Sequence, residues 1–124
     1  MDNVTDQTKQ ESMQALQSAI RKAEKACNHM SQKDANTILI EKRLNALRVA
    51  FAILDKRWHL GIGDYPQVDL LETKQLIKRM IQPIKAISMK NRLGPSQKTL
   101  IERRIRALEL AVQAIEESRE EADN

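Results

Sequence analysis

Apolar residues recur every three or four positions in four separate stretches of this chain. That spacing places them on one face of an α-helix, as in helices that pack against other helices. The predicted seam residues are Met13, Leu16, Ile20, Ala23, Cys27 and Met30; Ile40, Leu44, Leu47, Phe51, Leu54 and Trp58; Leu70, Ile77, Met80, Ile81, Ile84 and Ile87; and Ile101, Ile105, Leu108, Val112 and Ile115. The pattern predicts four amphipathic helices and an all-α fold.

Cap and turn residues separate the first two predicted helices. Thr5 or Asp6 is suited to cap the start of the first helix. The polar stretch 31–36 then forms a short connection in which Ser31 and Asp34 are candidate caps. The second helix is expected to end at the stretch "GIGDYPQ", residues 61–67, because Gly61 and the later proline favour termination.

Similar signals bound the third and fourth helices. Asp69 is followed three residues later by Glu72, which is the capping-box spacing at a helix start. Pro83 falls inside the third helix and predicts a kink there. The stretch "LGPS", residues 93–96, is expected to end this helix at its glycine and proline, with Ser96 as the N-cap of the fourth helix.

The second and fourth helices resemble each other in sequence. "IEKRLNALRVAFAIL", residues 40–54, and "IERRIRALELAVQAI", residues 101–115, are identical at six of fifteen positions with an offset of 61. The first and third helices match only loosely at this offset. We therefore predict a single domain, 1–124, folded as an antiparallel four-helix bundle of two related hairpins (about 5–60 and 69–120) joined by a hinge loop, 61–68. Alternatively, the hairpins pair between chains in a swapped dimer.

Composition agrees with a helical protein. The chain of 124 residues has three glycines, three prolines and three aromatic residues, and residues with high helix propensity predominate. Its longest apolar run, residues 49–54, is far shorter than the ~20 residues that a membrane span needs. The N-terminal stretch is polar and has no apolar signal core. A cytoplasmic protein is the expectation.

Residues that could carry catalysis are few and scattered. The single cysteine, Cys27, cannot form an internal disulfide, and His29 lies two positions away, so the two side chains point in different directions on a helix. His59 belongs to another helix. The motif "GIGD" lacks the further glycine and the lysine of phosphate-binding loops. We predict no catalytic residue, no metal site and no cofactor.

The second helix has a further apolar face opposite its seam. Val49, Ile53 and Leu60 lie there at helical spacing, whereas a bundle helix usually keeps one apolar face. The first functional hypothesis is a non-enzymatic protein-interaction or oligomerisation module, with a second copy or a helical protein as the partner. Its predicted contact residues are Val49, Ile53, Trp58 and Leu60. The alternative is that the second helix is central and its own neighbours cover both faces.

A basic stretch supports a second hypothesis. Residues 74–106 contain ten Lys or Arg and one acidic residue, whereas residues 107–124 contain six acidic residues and one Arg. The stretch suggests binding of nucleic acid or of another anionic surface. Its predicted contact residues are Lys74, Lys78, Lys85, Arg92, Arg103 and Arg106. Against this, aromatic residues for base stacking are scarce, and the acidic tail is able to neutralise the stripe.

Overall fold

A computed structural model describes residues 4–33, 36–59, 69–89 and 93–123, with side chains as far as residue 118. These residues form four α-helices and no strand. The helices are α1 (Asp6–Gln32), α2 (Ile38–His59), α3 (Leu70–Ser88) and α4 (Pro95–Asp123). Their contacts are consistent with a helical bundle. The prediction of an all-α fold with four helices is confirmed, whereas the predicted hinge loop 61–68 lies outside the described residues.

Two helix starts are capped by the predicted side chains. The Thr5 hydroxyl oxygen accepts a hydrogen bond from the backbone N–H of Thr8, at 3.1 Å. Asp69 Oδ1 accepts from the backbone N–H groups of Leu71 and Glu72, at 3.0 and 3.1 Å. Each cap satisfies N–H groups that have no partner inside the helix. The sequence signals at these two positions were therefore sufficient to place the helix starts.

Other boundary predictions were wrong. Ahead of α2 the capping oxygen belongs to Asn36, which accepts from the Ile38 N–H at 3.0 Å, and Ser31 lies within α1. The fourth helix begins at Pro95, so Ser96 is a helical residue and not its N-cap. Proline suits the first helical position because its missing N–H would have no intrahelical partner there. The C-cap of α3 is Met89 and not the glycine of the "LGPS" stretch.

The helices α2 and α4 lie at the centre of the fold. Each of them contacts all three other helices, whereas no backbone contact joins α1 to α3 in the described part of the chain. A central helix is covered on more than one side, so it needs apolar residues around most of its circumference. Accordingly α2 buries Val49, Ile53, Ala50 and Leu44, which span more than half of its helical wheel.

Small residues are prominent among the buried positions of the two central helices. Ala46 and Ala50 of α2 are buried, and so are Ala107, Ala111 and Ala114 of α4. An alanine side chain adds little bulk between helix axes, so neighbouring backbones can approach closely while larger side chains fill the flanking space. The flanking core residues include Leu16 of α1 and Ile77 of α3, both fully buried.

Within the described ranges, none of the helices is long and apolar enough to cross a membrane.

Candidate partner-binding site

The second apolar face of α2 is not exposed at the two of its positions that the structure describes. Val49 and Ile53 are each 3% exposed and belong to the common core. Trp58 packs against that core and is partly buried, and its indole Nε1 has no hydrogen-bond partner among the described residues. Leu60 lies outside them. The chain's own helices thus cover this face, as the alternative interpretation stated, and Val49 and Ile53 offer no surface to a partner in this fold.

The lysines of the predicted basic stripe are partly neutralised. The Lys74 ammonium lies 3.7 Å from Glu116 Oε1, and Lys78 Nζ lies 4.0 Å from the same oxygen. Lys85 is exposed and borders a cavity of about 480 Å³ together with Lys78, Glu109 and Glu116. Two ammonium groups and two carboxylates therefore share this cavity, so its lining carries no net positive charge.

The arginines of the stripe lie in a different setting. Arg103 Nε donates to Glu11 Oε2 of α1 at 2.7 Å, and Arg106 is exposed. Both line a second cavity, of about 300 Å³, together with Glu11 and Glu102. Arg92 lies outside the described residues. Four of the described stripe residues are divided between two cavities that carboxylates also line, a poor match to a continuous phosphate backbone.

A different concave surface lies where α1, α3 and α4 meet. Two cavities, of about 350 and 250 Å³, share Lys22, Leu100 and Arg104 among their lining residues. We call the two together the basic groove. The larger volume falls near the lower end of the range of about 300–1,000 Å³ for ligand pockets. The groove also contains Glu11, Gln14, Ala15 and Ser18 of α1; Ile84 and Ile87 of α3; Leu93; and Gln97, Ile101 and Arg103 of α4.

The wall of the basic groove is apolar and partly open to solvent. Leu100 is 62% exposed and Ile87 is 43% exposed, whereas Ile84 and Ile101 pack partly against the core. Large aliphatic side chains exposed side by side in a concavity differ from isolated surface leucines, since a ligand can cover them together. The groove therefore has the apolar surface that the buried face of α2 does not provide.

Unpaired cations line this apolar surface. Among the charged lining residues, Glu11 and Arg103 form an ion pair, which leaves Lys22 and Arg104. Neither of these two forms an ion pair within the described part of the chain. Arg104 Nε is buried and has no hydrogen-bond partner there. An unsatisfied buried donor is costly, so a ligand acceptor would gain from this arginine when a rotation of its partly exposed side chain brings Nε–H to the surface.

The residues considered for catalysis do not form a cluster. Cys27 is partly buried, whereas His29 and His59 are exposed on α1 and α2. No group of three His, Cys, Asp or Glu side chains in the described ranges is arranged to hold a metal ion.

Sequence reasoning missed the basic groove because its residues come from three separate helices. Lys22 and Leu100 are far apart along the chain, and neither belongs to a predicted seam. One signal was present: Leu100 directly precedes the seam residue Ile101, which makes the start of α4 apolar on two sides. No family model, no curated protein and no solved structure matches this chain.

Proposed function

We propose that this chain is a non-enzymatic protein-interaction module that binds an amphipathic helix of a partner protein in the basic groove. The observation that supports the proposal most strongly is the partly exposed apolar wall formed by Ile87 and Leu100. The groove follows α1 from Glu11 to Lys22, a rise of about 16 Å at 1.5 Å per residue. About three turns of a partner helix would match that length.

The expected affinity is modest. Burying a large aliphatic side chain completely contributes about 1.5–3 kcal/mol, and Ile87 and Leu100 are already partly covered, so they contribute about 1–2 kcal/mol each. Apolar residues of the partner add a similar amount. Association costs at least about 4 kcal/mol. The net of at most about 4 kcal/mol corresponds to a dissociation constant of about 1 mM, so these apolar contacts alone support only a weak, transient contact.

Selection from a library of displayed helical peptides tests this proposal. The library would be enriched on the wild-type chain, and the enriched peptides would then be tested on Leu100→Asp, a substitution at an exposed position. Leu39→Asp is the matched control. Leu39 is also exposed, at 54%, and it is the residue of α2 that aligns with Leu100 of α4 in the internal repeat, 61 residues apart.

We expect enriched peptides with large apolar residues at i, i+3 and i+4 that bind the Leu39→Asp variant and fail to bind Leu100→Asp. Peptides that bind both variants equally would place the contact elsewhere, and a library without enrichment would remove the proposal.

We further propose that the two hairpins are antiparallel and arose from one ancestral hairpin. The burial pattern supports this: positions 44, 46, 47, 49, 50, 53 and 54 of α2 are buried, and so are all seven positions that follow 61 residues later in α4. The correspondence extends to the other helices, because the buried polar residue Ser12 corresponds to the buried Thr73, and Leu16 corresponds to Ile77.

Spin-label distances test the antiparallel arrangement of the first hairpin. The ion pair between Glu24 and Arg48, at 3.0 Å, places these two levels of α1 and α2 side by side. In an antiparallel pair, labels at the exposed positions Gln14 and His59 should lie close together, whereas labels at Gln14 and Lys42 should lie at least about 20 Å apart. The reverse order of the two distances would contradict the arrangement.

A further inference from the structure

We infer that the partner helix carries a carboxylate next to its apolar face, and that Arg104 and Lys22 bind this carboxylate. The inference rests on the proposed function and specifies the chemistry of the partner. It follows from the charges of the basic groove, because the carboxylate of Glu11 is already paired with Arg103. Two positive charges therefore remain beside the apolar wall.

Arg104 has the geometry for this role. Its Nε–H lacks an acceptor among the described residues, although the side chain as a whole is only partly buried. A carboxylate binds a guanidinium most strongly through two parallel hydrogen bonds, and one common pair of donors is Nε with a terminal nitrogen. An aspartate or glutamate entering the larger cavity would pair first with the terminal nitrogens of the partly exposed guanidinium, and a rotation of the side chain would bring Nε–H into such a pair.

Lys22 provides the second positive charge. It lines both cavities, and its side chain is exposed on α1. A lysine ammonium is a mobile point charge, so it adds attraction for an anion without fixing its orientation. Arg104 would therefore determine the position of the carboxylate, and Lys22 would mainly increase its affinity.

The chain's own acidic end is a poor occupant of the basic groove in a second copy. The last nine residues, "EESREEADN", contain five acidic residues, but their single apolar residue is an alanine. Such a segment would match the charges and leave the apolar wall uncovered. A partner with both an apolar face and an acidic edge fits both properties of the groove.

Three synthetic helical peptides of 14 residues test the inference. They share one face of three leucines and differ at two flanking positions, which carry Glu, Gln or Lys. Binding to the full chain would be followed by fluorescence anisotropy at 50 and 200 mM NaCl. We expect the Glu peptide to bind about five- to ten-fold more tightly than the Gln peptide at low salt, with the Lys peptide weakest.

Charge-reversal variants of α1 identify the residues responsible. Lys22→Glu should reduce the preference for Glu over Gln to about two-fold or less. Lys25→Glu is the matched control. Lys25 is also exposed on α1 but does not line the basic groove, and its replacement changes the net charge by the same amount. Arg104→Gln, which keeps a hydrogen-bond donor and removes the charge, should lower the affinity for the Glu peptide while retaining that for the Gln peptide.

The possible results separate the inference from the proposed function. If the Glu and Gln peptides bind the wild-type chain equally and neither binds Leu100→Asp, the inference is overturned and the proposed interaction module stands. An equal effect of Lys22→Glu and Lys25→Glu would also overturn it, since the preference would then reflect only the general field of α1. Absence of binding by all three peptides would overturn both. Alternatively, a short duplex DNA displaces the peptides from the wild-type chain and fails to bind Lys22→Glu. That result would assign the groove to a polyanion and would overturn both the inference and the proposed function.

Discussion

Replacing Ile53 tests whether the second apolar face of α2 belongs to the core. Ile53→Ala removes three carbon atoms from a side chain that is 3% exposed. At about 0.8 kcal/mol for each buried CH2 or CH3 group, the lost transfer free energy is about 2.4 kcal/mol. The cavity left between the central helices adds to this, so we expect a decrease of about 3–4 kcal/mol in the free energy of unfolding. That is a large part of the ~5–15 kcal/mol that holds a domain of this size folded.

Urea denaturation followed by circular dichroism at 222 nm would measure this decrease. Ile38→Ala is the matched control: it makes the same chemical change in the same helix at a side chain that is 61% exposed, so it should cost less than about 1 kcal/mol. Leu54→Ala, at a fully buried position of the predicted seam, should cost about as much as Ile53→Ala. If Ile53→Ala and Ile38→Ala destabilise the protein equally, the claim that α2 is covered on both faces is wrong.

Three further variants test local features. Asp69→Ala should lower the free energy of unfolding by about 1 kcal/mol, because the N–H groups of α3 lose their acceptor; urea denaturation would show it, and no change would mean that water replaces the cap. Pro83→Ala should raise the free energy of unfolding by up to about 3 kcal/mol, since Pro83 is an exposed residue inside α3; a decrease would mean that the fold requires the proline. Glu116→Gln should increase retention on heparin at low salt, because it releases two lysines; unchanged retention would show that these ion pairs do not limit polyanion binding.

The sequence was sufficient to predict the helices because their signals are local. Apolar residues spaced alternately three and four positions apart lie on one face of a helix. The structure buries four such residues as expected: Leu16, Leu47, Ile77 and Leu108. Asp69 is a side-chain acceptor at a helix start, which needs only its own neighbours to act. The start of α4 was assigned wrongly, because Pro95 is compatible both with ending one helix and with beginning the next.

The surroundings of α2 required the tertiary structure. Val49 and Ile53 show that a second apolar face exists, but the same pattern is produced by a partner interface and by a central helix. The alanines were an unused signal: Ala46 and Ala50 are identical with their counterparts in α4, and small residues at matching positions of two helices favour close packing. The basic groove left no comparable pattern, because its charge balance depends on which acids pair with which cations after folding.

The binding surface itself can be tested most directly by nuclear magnetic resonance. A chain with labelled isoleucine and leucine methyl groups would be titrated with the Glu peptide. Saturable shifts are expected for Ile84, Ile87, Leu100 and Ile101, with little change at the exposed Leu39. Shifts centred on Leu39, or the absence of saturable shifts at the four methyl-bearing residues of the groove, would contradict the assignment of the basic groove as the binding site.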